Sequence, residues 1–259
     1  MSPSVKKIKV LIVRAAGTNC DFETAYAFEY VGARAERVYI DEIKKKDLLD
    51  YKILVFPGGF TYGDDISAGR ILANEIKYKL KDKILEFIEK GNLILGICNG
   101  FQILVKAGIL PGFDGYFTEQ AVSLVTNDSE KFEDRWVELK VYPERSVFTK
   151  GINKIISLPV AHAEGKFVVK NNTVFKKIKK QIVFQYVDKE GRLAGYPYNP
   201  NGSILNIAGI ADKTGRILGL MPHPERYISY LQHPLHTRRK LNEEGDGLKI
   251  FENAVNYFK

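Results

Sequence analysis

The segment Gly96-Ile97-Cys98-Asn99-Gly100 sets a cysteine between two glycines, where the buried apolar run Leu93 to Ile97 gives way to a helical pattern starting near Asn99. This G-x-C-x-G spacing has the shape of a nucleophile elbow. The glycines permit a sharp turn and keep side chains away from a reacting centre. A helix N-terminus favours the thiolate, the reactive form of a thiol. Most cysteines pack as small hydrophobes, but the paired glycines and the strand-to-helix setting favour Cys98 as a nucleophile.

A thiol nucleophile needs a base, and the base needs a partner that fixes its tautomer. Of the four histidines, His223 stands just past the apolar segment Ile217 to Met221, where an open α/β sheet gathers its active-site groups. Glu225 follows across Pro224. In an extended backbone both side chains would project to one side, so the carboxylate could receive the imidazole N–H. By itself Met221-Pro222-His223-Pro224-Glu225 reads equally as a solvated proline-rich turn, and the elbow elsewhere in the chain is what singles out His223 and Glu225. Acyl transfer also needs donors for a developing oxyanion. Pro57-Gly58-Gly59, after the Ile53 to Phe56 run, offers the Gly59 N–H, and the Asn99 N–H beside the nucleophile is the natural second donor. Taken alone, those glycines also suit an ordinary turn.

The elements that must position these groups read as an α/β protein. A buried strand from Ile8 to Val13 is followed by a turn at Gly17 and a helix opened by Asp21 as N-cap and closed by Gly32. Ala35 to Ile40 and Ile53 to Phe56 read as further strands. Apolar positions from Ile71 to Ile88 recur at helical spacing, predicting one long helix over Ser67 to Glu89 with Gly91 at its end. Strands alternating with helices imply a parallel sheet with right-handed crossovers. After Pro111 short β-like segments dominate: Val137 to Val141, Ile155 to Val160, Ile182 to Val187, Ser203 to Ile210 and Ile217 to Met221. Asn201-Gly202 is a two-residue turn signal, and a closing helix is expected behind Asp246 as cap. The expected fold is a doubly wound, mainly parallel sheet with flanking helices and added antiparallel hairpins.

Composition narrows the class. With 259 residues, 45% of them hydrophobic and 27% charged, the chain suits an ordinary globular protein, and a single domain over 1–259 is expected. No apolar run approaches the roughly 18 residues that span a bilayer, and the start, Met1 to Lys9, has no apolar signal-peptide core. A cytoplasmic, non-membrane protein is expected. The two cysteines, Cys20 and Cys98, lie far apart without CxxC spacing, so neither a metal site nor a disulfide framework is suggested. The net charge of +8 is spread over scattered lysines. The runs Lys44–Lys46 and Lys176–Lys180 suit solvated faces, and no nucleic-acid partner is expected.

Together these residues resemble the class I (triad) glutamine amidotransferases. Within that class, Gly58 to Asp64, Gly96 to Gln102, His162 to Phe167, Asn199 to Ser203 and Met221 to Arg226 are similar to the glutaminase subunits of phosphoribosylformylglycinamidine synthase. The likeness spans most of the chain. Asn99 carries part of it, because many other members of the class have Leu there. The resemblance implies a flavodoxin-like fold, Cys98 as nucleophile, His223 as base, Glu225 as its orienting carboxylate, and Gln102 in contact with substrate glutamine. It further implies a separate synthetase subunit that receives ammonia for de novo purine synthesis, and a small bridging subunit. No cofactor is expected on this chain; ATP and Mg belong with the synthetase.

Cys20 matches a motif of the same subunits but lacks a matching base and reads as structural. His162 suits either the glutamine pocket, a partner-facing position or a hydrogen-bonded hairpin histidine, and His233 and His236 read as non-catalytic. Asp65 to Arg70 departs from the expected pattern, with Ser67 where Arg or Gly is usual. The rival readings are an amidotransferase with a different synthetase, a cysteine-elbow stress protein or peptidase, and a catalytically silent binding module of the same fold.

Overall fold

The computed structural model describes residues 7–238 and 243–259; most of the opening stretch read above for a signal-peptide core lies outside them. In chain order the elements are β1 (Lys9–Arg14), α1 (Asp21–Tyr30), β2 (Arg34–Tyr39), the single turn α2 (Ile40–Ile43), β3 (Ile53–Phe56), α3 (Arg70–Lys79), α4 (Lys81–Glu89), β4 (Leu93–Ile97) and α5 (Asn99–Lys106). They continue as β5 (Val122–Val125), β6 (Glu133–Val141), β7 (Ile155–His162), β8 (Lys166–Val169), α6 (Asn172–Ile178), β9 (Ile182–Val187), β10 (Ile207–Ala211), β11 (Ile217–Leu220) and α7 (Leu248–Asn256).

A nine-stranded sheet runs in the order β2-β1-β3-β4-β11-β10-β9-β6-β7. From β2 to β11 the pairs are parallel, and from β11 to β7 they are antiparallel. The parallel centre is why β3 and β4 read as continuous apolar runs: every residue of both is buried, as expected for strands covered on two faces. Helices α3, α4 and α5 bury Leu72, Ile76, Ile84, Phe87 and Phe101 into this core.

Several local readings differ. The expected long helix is broken at Leu80, whose φ of −127° is not helical, and the chain starts its first regular turn only at Arg70, after Gly69 in the left-handed region. Asp21 is the first helical residue rather than the cap, and its buried carboxylate pairs with Arg14 at 2.7 Å and Arg37 at 3.2 Å. Asp246 likewise does not cap α7; it accepts the Ser157 N–H at 2.8 Å. Asn201-Gly202 closes no hairpin, because the chain from Asp188 to Asn206 is loop and a short 3-10 turn, and β10 starts only at Ile207. The small sheet β5-β8 and helix α6 carried no clear signal in the sequence.

Two folding features aim the site. The carboxyl ends of β3, β4 and β11 lie side by side, since Phe56 pairs with Gly96 and Ile97 with Leu220. Although β7 is the far edge strand, its Pro159 carbonyl accepts the His223 N–H at 2.8 Å. The β6–β7 hairpin therefore folds back across those strand ends.

Candidate active site

Cys98 sits between β4 and α5 with φ 50° and ψ −107°, a backbone conformation that costs an L residue energy and is kept only where the surroundings dictate it. The surroundings do so. The Cys98 N–H donates to the Leu220 carbonyl at 2.8 Å, and its own carbonyl accepts from Phe101 and Gln102. The flanking glycines serve close packing rather than unusual torsion: a Cβ on Gly100 would lie 1.8 Å from the Phe56 carbonyl oxygen, and one on Gly96 would lie 2.6 Å from Leu104 Cδ1 and 2.7 Å from the Gly100 carbonyl oxygen. The thiol itself is buried and donates to the Ala161 carbonyl, with Sγ 3.6 Å from the oxygen.

His223 and Glu225 are both buried, and His223 Nδ1 lies 2.6 Å from Glu225 Oε1. The pairing does not arise from extended alternation; Pro224–Arg226 forms a 3-10 turn, and the carboxylate meets the ring at Nδ1. With Nδ1 occupied, Nε2 is buried and has no hydrogen-bond partner among the described residues. Burial opposes a charge on His223, but the charges of Glu225 and Cys98 outweigh it and hold its pKa well above the ordinary imidazole value. The ring can therefore take a proton from a thiol and retain it as imidazolium.

Cys20, at the start of α1, lies beside the same ring, with Sγ 4.0 Å from Nδ1, 3.0 Å from Asn19 Oδ1 and 3.1 Å from Arg226 Nη2. Burial raises its pKa. Cys20, His223 and Glu225 are ligand types that bind zinc. Here, however, Nδ1 is committed to Glu225 and a guanidinium stands beside the sulfur, which suits an oriented base better than a cation.

The loop after β3 is locked onto the loop after β1. Cys20 N–H donates to Gly58 O at 3.2 Å and Phe60 N–H to Gly17 O at 2.9 Å. Gly59 has φ 145°, and a Cβ on it would come within 2.8 Å of Asn19 N, so only glycine fits. Asn99 begins α5, and its buried side chain reaches this loop at Thr61 and Asp64. Gln102 is also buried; its Nε2 donates to the Glu164 carbonyl at 2.6 Å and its Oε1 accepts from Asn99 Nδ2 at 3.0 Å.

His162 ends β7 fully inside the protein, near Asn201, and burial followed by the His223 charge lowers its pKa to about 3. It stays a neutral hydrogen-bonding group. His233 packs against Trp136 and Tyr227. Sequence reasoning passed over Ala161, Thr61 and Asp64, and it left Cys20 unconnected to the base. Nothing in residue type or spacing marks a carbonyl such as that of Ala161. A cavity of about 1160 Å³ lies elsewhere, lined by Arg145, Lys176, Lys180 and Lys213; the Asp212–Gly215 turn that borders it precedes β11, so it lies at the amino ends of the parallel strands.

A glycine-flanked cysteine at the carboxyl end of a mainly parallel sheet, facing a His–Glu pair from the neighbouring strand, is the architecture of the triad amidotransferases. The chain belongs to that family: residues 7–258 match the CobB/CobQ-like glutamine amidotransferase domain. A protein of Dehalococcoides mccartyi, phosphoribosylformylglycinamidine synthase subunit PurQ, is 52% identical over 259 residues, covering 98% of each chain. The Pyrococcus furiosus protein of the same name is 42% identical over 255 residues, covering 97% of this chain and 99% of its own. Among solved structures, PurLQS from Thermotoga maritima contains a chain 33% identical with a TM-score of 0.76, covering 98% of this chain and 100% of that one. The glutaminase domain of Trypanosoma brucei CTPS with bound acivicin, at 16% identity and a TM-score of 0.57, covers 97% of this chain and 94% of its own and shares the fold.

Proposed function

We propose that this chain is the glutaminase subunit of phosphoribosylformylglycinamidine synthase, hydrolysing glutamine to glutamate and ammonia for a synthetase subunit in de novo purine synthesis. The observation that carries the chemistry is the strained Cys98 elbow facing a buried imidazole whose Nδ1 is held 2.6 Å from Glu225. The full-length likeness to PurQ proteins and to PurLQS supports the particular substrate and assembly.

His223 takes the thiol proton and Cys98 attacks the glutamine carboxamide carbon. The N–H groups of Gly59 and Asn99 stabilise the oxyanion, worth roughly 10² to 10³ in rate for one donor. The imidazolium returns its proton to the departing ammonia, and water activated by the same base hydrolyses the thioester. Gln102, tied to Asn99 and Glu164, shapes the wall of the glutamine pocket. The chain works as a single domain in the cytoplasm with synthetase and small bridging subunits. ATP and Mg act on the synthetase, with no cofactor on this chain.

We also propose that the isolated chain is nearly silent and that partners shift the Gly58–Gly59 backbone into its working position. Glutamate release from glutamine, measured for wild type beside Cys98→Ala, alone and with synthetase and small subunit, tests both. A Cys98-dependent rate raised by the partners is expected. Full turnover by the pure chain would refute the silent state, and no glutamine consumption in any mixture would refute the function.

A further inference from the structure

The oxyanion donors assigned above sit on two elements, the Asn99 N–H at the start of α5 and the Gly59 N–H in the loop after β3. Their separation must be held to a fraction of an ångström for both to meet one oxygen. The loop does not supply that rigidity by itself. Beyond Gly59, Tyr62, Gly63 and Asp64 have φ of 55°, 71° and 54°, the left-handed region that L side chains rarely adopt. Such a turn persists only where its surroundings impose it.

The Asn99 carboxamide straddles this turn. Its Oδ1 accepts from Thr61 Oγ1 at 2.7 Å and from the Thr61 N–H at 3.3 Å, and its Nδ2 donates to Asp64 Oδ1 at 3.2 Å. The amide is fixed in turn by Gln102 Oε1, which accepts from the same Nδ2 at 3.0 Å, and Gln102 is anchored on the Glu164 carbonyl. Asp64 Oδ1 also accepts the Gly69 N–H at 3.2 Å, closing the loop onto the start of α3. On the other side, the Cys20 N–H holds Gly58 O at 3.2 Å. In a trans peptide this turns the Gly59 N–H away from Cys20.

We propose that the Asn99 side chain, through Thr61, is a positioning group that sets the distance between the two oxyanion donors, one of which is Asn99's own backbone N–H. The inference rests on the glutaminase reading. An amide clamp of this kind acts on transition-state charge, so it moves kcat and leaves glutamine affinity and the intrinsic reactivity of the thiol alone. A leucine of similar size at residue 99 keeps the backbone donor and removes the clamp.

The experiment compares Thr61→Val, Thr61→Ser, Asn99→Leu and the Thr61→Val/Asn99→Leu pair in the assembled complex with synthetase and small subunit. It reads glutaminase kcat and KM, and the rate at which iodoacetamide alkylates Cys98, a displacement that forms no oxyanion. Thr61→Val and Asn99→Leu should each lower kcat about 10- to 100-fold, with KM within about threefold in Thr61→Val, which leaves the Asn99–Gln102 contact in place. Thr61→Ser, which keeps the hydroxyl, should stay within about threefold of wild type, and the pair should lose no more than either single change. Alkylation of Cys98 should keep its wild-type rate throughout. An undiminished kcat in Thr61→Val, losses that multiply in the pair, or alkylation that falls in step with kcat would each overturn the clamp. Glutamine consumption by Cys98→Ala would remove the underlying reading, and the clamp with it.

Discussion

The two cysteines start two helices, are both buried, and interact with the same imidazole, yet only one is built to react. Cys98 is forced to φ 50° on the elbow after β4 and interacts with a ring whose Nε2 has no hydrogen-bond partner among the described residues. Cys20 has an ordinary φ of −95°, lies beside the occupied Nδ1, and is held by Asn19 and Arg226. The difference is therefore one of backbone and of what holds each sulfur: the Ala161 carbonyl for Cys98, Asn19, Arg226 and the occupied edge of the ring for Cys20. Reactivity follows from where Glu225 sits, because by taking Nδ1 it assigns the proton chemistry to the side of Cys98.

The largest effect should separate the two thiols. Cys98→Ala is expected to lower glutamate release by about 10⁴-fold or more, as loss of a nucleophile does, whereas Cys20→Ala should remain within about tenfold. Comparable losses in both would dissolve the contrast. Glu225→Gln should cost about 10² to 10³ in kcat. It should also shift the profile: the Glu225 charge helps raise His223, and turnover needs imidazolium to protonate ammonia, so the alkaline limb should move to lower pH. A limb that stays put would mean Glu225 does not tune the base. Gly58→Ala sharpens the geometry, since its Cβ would lie 2.8 Å from His223 Cε1 and 3.1 Å from Cys20 Sγ. Displacing the ring should reduce kcat about 10-fold or more, measurable at saturating glutamine.

The smallest effect contrasts the two buried imidazoles. His162 has its pKa lowered to about 3, so the unfolded chain takes up a proton below the ordinary imidazole value and the folded one does not. Its contribution is thus complete above that value and lost as pH falls, at up to about 1.4 kcal/mol per pH unit. His162→Gln should flatten the acid side of a Tm-against-pH curve. His223, with its pKa raised, contributes in the opposite sense, favouring the folded state until pH rises through its folded value.

The elbow is legible in sequence because Gly96 and Gly100 record a packing demand: no other residue fits against Leu104 and the Phe56 carbonyl. The parallel half of the sheet is equally legible, since two-sided burial leaves β3 and β4 as unbroken apolar runs. His223 and Glu225 are readable as a pair, although the turn that joins them is not the extended one their spacing suggests. What stays hidden depends on distant segments meeting. The fold-back of β7 that brings Ala161 to Cys98, the placement of Cys20 beside His223, and the clamp between Asn99 and Thr61 join residues with no shared local pattern. Asn201-Gly202 misleads for the same reason: the Asn201 side chain bonds to Ser203 in its own loop and to Tyr186 rather than closing a hairpin.

The most direct measurement is rapid acid quench of the assembled complex during glutamine turnover, followed by peptide mapping of the γ-glutamyl thioester. A glutamyl adduct on the Cys98 peptide, absent from the Cys20 peptide and lost in Cys98→Ala, is the predicted result. An adduct on Cys20, or turnover sustained in Cys98→Ala, would contradict the assignment of the two cysteines.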